Sequence, residues 1–90
     1  MSGGLAVWVA NGCGGGHTFA PAHAKGMFGP DVELSLRGTD AAYIRQSIVD
    51  PDAVAAPSWE VGVMPTDFEE RIPPADLEKL VAFIERGVQR

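Results

Sequence analysis

Cysteine occurs once in these ninety residues, at Cys13, so no disulfide can staple the fold from within. Clusters of lysine and arginine are also missing. Seven basic residues are spread through the chain against twelve acidic ones, for a formal charge of −5 and an isoelectric point near 4.7. Binding to nucleic acid is therefore disfavoured, because holding phosphates needs a basic patch. No hydrophobic run is long enough to cross a membrane, and the longest near the start, from Leu5 to Ala10, falls far short, so no membrane insertion is expected of this chain. No basic stretch or small-residue cleavage site precedes that run, so the sequence gives no sign of a signal peptide. The opening Met1-Ser2-Gly3-Gly4 reads as the start of an excised or artificially expressed segment.

Glycine and proline, by contrast, are plentiful, at eleven and seven. Such a load of helix breakers confines regular structure to short pieces separated by long connections. A chain of this length makes one domain, residues 1–90, and buries only a modest fraction of its surface. Long ordered loops in so small a domain need something to pack against, which makes a buried cofactor attractive before any motif is read.

Residues 4–11 read as a helix stopped by Asn11-Gly12, with a buried strand as the alternative on β-branched content. Residues 12–36 lack periodicity and read mostly as loop. Thr39-Asp40 caps a second helix over residues 41–49, in which Tyr43, Ile44, Ser47 and Ile48 share a face and Asp50-Pro51 closes the element. Residues 51–72 read as a second loop, carrying Trp59, Met64 and Phe68. The clearest helix opens at Pro73-Pro74, with Asp76 and Glu78 early and Arg86 late, as the helix dipole favours. Its apolar positions Leu77, Leu80, Val81, Ile84 and Val88 recur at three- and four-residue spacing, with Phe83 alongside. The outline is all-α, three to four short helices around two large loops.

The chemistry concentrates in Cys13-Gly14-Gly15-Gly16-His17; no Ser–His–Asp set and no paired-cysteine metal site is available. Taken alone, such a segment also describes an ordinary turn before a surface histidine. It resembles the haem-attachment segment of class I cytochromes c, whose pattern is C-x-x-C-H, with Cys13 and His17 at the first and last positions. Gly16 stands where the second cysteine belongs, so at most one thioether, through Cys13, can tie a haem to the chain.

The resemblance extends along most of the sequence. In Gly62-Val63-Met64-Pro65 it implies Met64 as the distal ligand, a soft thioether opposite an imidazole; a methionine without that company merely fills a core gap. At Gly29-Pro30 it implies that the Pro30 carbonyl accepts a hydrogen bond from Nδ1–H of His17, where a plain loop proline is the other reading. Gly4 and Trp8 resemble the small-plus-aromatic pair at which the first helix crosses the last, with Leu80 and Phe83 facing them. Trp59, Tyr43 and Arg37 become candidate partners for the haem propionates, against core packing for the two aromatics and a solvated position for Arg37. His23 and Met27, both expected to be exposed in the loop between His17 and Pro30, match no ligand position: His23 reads as a surface residue, and Met27-Phe28 as packing on the loop core. Asp67, Glu69 and Glu70 read as solvated surface.

The fold so implied is cytochrome c-like, its loops wrapped around a haem. The cofactor is haem c, attached through one thioether or held non-covalently, with His17 and Met64 on the iron and Cys13, Pro30, Arg37 and Trp59 around it. The function implied is one-electron transfer, with a redox partner protein, an oxidase or a reductase, in a periplasmic or other extracytoplasmic compartment. Ser47-Ile48-Val49-Asp50-Pro51 and the methionine loop narrow the likeness to bacterial domains associated with cytochrome oxidase. Two other readings stay open. One is an engineered haem catalyst of peroxidase-like or carbene-transfer type, with a labilised Met64. The other is a haem-free interaction module, which has to stay folded without a cofactor.

Overall fold

A computed structural model of the chain describes residues 3–27, 29–54 and 64–88. Phe28 and Trp59, and with them the roles expected of those two residues, lie outside the described residues. The chain is mostly helical. Helix α1 (Gly3–Ala10) is followed by the single turn α2 (Cys13–Gly16), a two-stranded antiparallel hairpin of β1 (Thr18–Phe19) and β2 (Ala24–Lys25), and α3 (Val32–Leu36). Then come α4 (Ala41–Val49), α5 (Phe68–Arg71) and the long α6 (Pro74–Val88).

The first and last helices hold the fold together. Their contact is the most extensive between any two elements. A Cβ at Gly4 would run into Phe83 Cβ and the Lys79 carbonyl, so glycine is what lets the two backbones approach. Trp8, Phe19 and Phe83 meet beside this crossing, with ring centroids 5.2 Å (Trp8–Phe19), 5.6 Å (Phe19–Phe83) and 6.4 Å (Trp8–Phe83) apart. Tilted and edge-on arrangements of this kind suit the ring quadrupoles. Leu80 and Val81 of α6 and Ile44 of α4 are fully buried and complete the centre.

Each longer helix has a readable cause. Asn11 stops α1, its own N–H and its side-chain Nδ2 both donating to the Val7 carbonyl, and Gly12 follows in the left-handed region at φ 71°. The Asp40 carboxylate accepts from Tyr43 N–H at 2.9 Å and starts α4. Arg45 of α4 grips Glu78 of α6 with two hydrogen bonds across the surface.

Several expectations need correction. The stretches read as loop contain short regular pieces: α2, the hairpin with a 3-10 turn (Ala20–Ala22) and α3 in the first, and a 3-10 turn (Pro51–Val54) and α5 in the second. The described residues hold six α-helical segments rather than three or four. Segments of four or five residues are too short to show a helical period, and tertiary contact carries them. Met27 is 81% exposed, as expected of its loop, and does not pack on the loop core. Tyr43 is not in the core either. Of the four residues expected on one face of α4, Ile44 and Ile48 are buried, Ser47 is partly exposed and Tyr43 is exposed, so the buried stripe is narrower than the sequence pattern implies.

Candidate functional site

The α2 turn places Cys13 and His17 one helical turn apart, and His17 N–H donates to the Cys13 carbonyl at 3.0 Å. His17 leaves the turn in extended conformation (φ −130°, ψ 144°), which leads directly into β1. The hairpin then brings the chain back. The Thr18 hydroxyl donates to the Gly26 carbonyl at 2.9 Å, and Gly29 N–H donates to the Gly16 carbonyl at 2.6 Å. Residues 29 and 30 are thereby laid against the His17 ring.

The result is a fixed imidazole. Nδ1 of His17 lies 2.8 Å from the Pro30 carbonyl oxygen, and that oxygen can only accept. The hydrogen therefore sits on Nδ1, and in the neutral ring Nε2 keeps its lone pair. This is the hydrogen bond expected between His17 and Pro30. A partly buried histidine so held has one nitrogen left for a metal, with its basicity raised by the bond on the other.

Cys13 is a free, partly buried thiol resting against the hydrophobic core. Burial pushes its pKa up to about 11, although a backbone hydrogen bond and the positive charge of Arg71 pull the other way. At neutral pH it is a protonated thiol, not a nucleophilic thiolate. Met64, just before α5, is partly buried and packs on the core. Arg37 is exposed and pairs with Glu33 at 3.5 Å along α3. His23 closes the hairpin in the left-handed region (φ 53°) and is exposed, as its surface reading had it. Among the described residues, no three His, Cys, Asp or Glu side chains gather into a group that could hold a metal ion.

Sequence reasoning finds Cys13, His17 and Pro30, which the hairpin gathers, and Met64. It misses Thr18 and Gly26, whose hydrogen bond closes the hairpin. Gly26 also lies so close to Gly14 and Gly15 that a Cβ there would come within 2.6 Å of their backbone. The glycine-rich composition was the only trace of that contact. Comparison of the chain with protein-family models, with curated proteins and with solved structures finds no match.

Proposed function

We propose that the chain is a one-electron carrier of cytochrome c type, in which His17 and Met64 would hold the iron of a haem and Cys13 would supply at most one thioether. The observation that carries this reading is the His17–Pro30 hydrogen bond, which spends Nδ1 on a carbonyl and leaves Nε2 as a directed nitrogen donor. The donor set argues the same way. One imidazole and one thioether are the protein donors that suit an iron whose other donors come from a macrocycle, as in haem.

When bound, the haem supplies reversible one-electron chemistry at iron. The chain does the rest. His17 offers Nε2 in a set orientation, and the Pro30 carbonyl raises the electron density there. Met64, backed by the core, offers a neutral sulfur, which favours the reduced metal and raises the potential. With His17 and Met64 both given to the metal, the chain would offer a substrate no open position, so electron exchange is favoured over catalysis. Arg37 and Trp59 stay candidates for the propionates. An acidic surface, with Asp67, Glu69 and Glu70 exposed beside Met64 in sequence, suits a basic redox partner such as an oxidase or reductase subunit. The compartment that goes with this reading is extracytoplasmic.

The test is the visible spectrum of the haem-supplied protein, oxidised and reduced. Low-spin haem with a sulfur-to-iron band that disappears in Met64→Ala is the expected result. A high-spin spectrum would mean that Met64 is not bound and would favour an open-site catalyst. No haem uptake would leave a haem-free module.

A further inference from the structure

Gly29 is glycine for a reason that its own backbone does not supply. The described glycines in the left-handed region are Gly3, Gly12 and Gly38, so any residue could adopt the conformation at position 29. Space is what forbids a side chain. A Cβ at Gly29 would lie 2.5 Å from Cε1, 2.8 Å from Nδ1 and 3.1 Å from Nε2 of His17, and its three nearest neighbours are all atoms of that ring. At Gly15 and Gly16, in the same loop cluster, a Cβ would meet nothing within 4 Å. The glycines around His17 are therefore not equivalent.

We propose that Gly29 is a positioning residue for His17: the bare backbone at position 29 closes on the face of the imidazole and keeps Nδ1 on the Pro30 carbonyl and Nε2 free. The proposal deepens the reading of His17 as an iron ligand, on which its functional meaning rests. Between a Cβ at position 29 and the imidazole, the ring is the part that can move, because it is the end of a side chain while the 29–30 backbone is tied to Gly16 at 2.6 Å. Displacing the ring breaks its bond to Pro30 and releases the tautomer. Position 29 thus acts on a metal at Nε2 through the ring, without touching the metal.

The experiment compares Gly29→Ala with Gly15→Ala, using nitrogen NMR of the His17 ring and titration with haem. Wild type and Gly15→Ala are expected to show a single Nδ1–H tautomer and equal haem affinity. Gly29→Ala should lose the fixed tautomer and bind haem about 10- to 100-fold more weakly, the usual effect of disturbing the group that orients a metal-ligating histidine. Retention of the fixed tautomer in Gly29→Ala overturns the proposal, whatever happens to affinity. If wild type takes up no haem, the electron-carrier reading fails while the ring signature still decides the role of Gly29. If Gly29→Ala does not fold, the substitution is repeated in the His17→Ala background. Folding equal to that of His17→Ala alone then supports the ring contact, and a second failure to fold overturns it.

Discussion

At the scale of single residues, the site is a lesson in how much a carbonyl can decide. His17 has two ring nitrogens, and the Pro30 oxygen assigns them different roles at 2.8 Å. Cys13 is governed by its surroundings in a similar way. Burial lifts its pKa from 9.0 to about 11, so the folded protein carries a neutral thiol over the whole physiological range. Alkylation of Cys13 is expected to be about 100-fold slower than for an unhindered thiol at pH 8, in proportion to the missing thiolate, and to climb as the pH approaches 11. A rate measured against pH with a small alkylating reagent checks this. Stability has the corresponding sign. The thiol is easier to ionise in the unfolded chain, so its contribution is intact below pH 9 and is lost as the pH rises towards 11. An unfolding midpoint that falls across this window in wild type, but less in Cys13→Ala, is the expected result. Cys13 and His17 stood out as candidates because a thiol and an imidazole at that spacing match a known pattern, and the bond expected between His17 and Pro30 is present. Gly29 was not, because a glycine that makes room for a ring looks in sequence like any loop glycine.

The elements divide the same way between the legible and the hidden. Helix α4 coincides with the segment from residue 41 to 49, since Asp40 caps it and Pro51 follows it, and α6 declared itself by its apolar spacing. The pieces α2, α3 and α5 are too short for a period to develop. One of them still left a trace. Asp31 caps α3 by accepting from Glu33 N–H at 2.9 Å and Leu34 N–H at 3.3 Å, and an aspartate before Val32 and Leu36 is a start signal that the surrounding glycines obscured. Replacing Asp40 by alanine is expected to destabilise the protein by about 1 kcal/mol, measured by denaturant unfolding. The crossing of α1 and α6 is less forgiving. Gly4→Ala puts a methyl group against Phe83 and the Lys79 carbonyl, and about 1–3 kcal/mol of stability is expected to go with it. A much smaller loss would mean that the two helices can slide apart at little cost.

For the molecule as a whole, the short chain, the single thiol and the long connections pointed to a fold in need of a partner inside it. The core that forms around Trp8, Phe19, Ile44 and Leu80 is well packed but small. Haem bound through His17 should stabilise the fold by about 2.7 kcal/mol at a free concentration one hundred times the Kd, growing with the logarithm of that ratio, and should raise the unfolding midpoint accordingly. The same addition to His17→Ala should leave the midpoint near that of the haem-free protein, as a thermal scan with and without haem would show.

The clasp between the first and last helices has a topological consequence. Because α1 and α6 grip each other, the backbone between them is a closed loop whose two ends are already joined by packing, and one break need not open it. The connection between α3 and α4 suits such a break: Arg37, Gly38 and Asp40 are exposed, and among the described residues no strand pairs across it, only Thr39 bonding back to the Leu36 carbonyl. Residues 1–37 and 38–90, produced as separate peptides, should each be largely unstructured and should regain helical circular dichroism on mixing, α1 finding α6 as a bound partner instead of a covalent neighbour. Substituting Gly4 in the shorter peptide would then weaken a measurable association, turning the packing at the crossing into a dissociation constant.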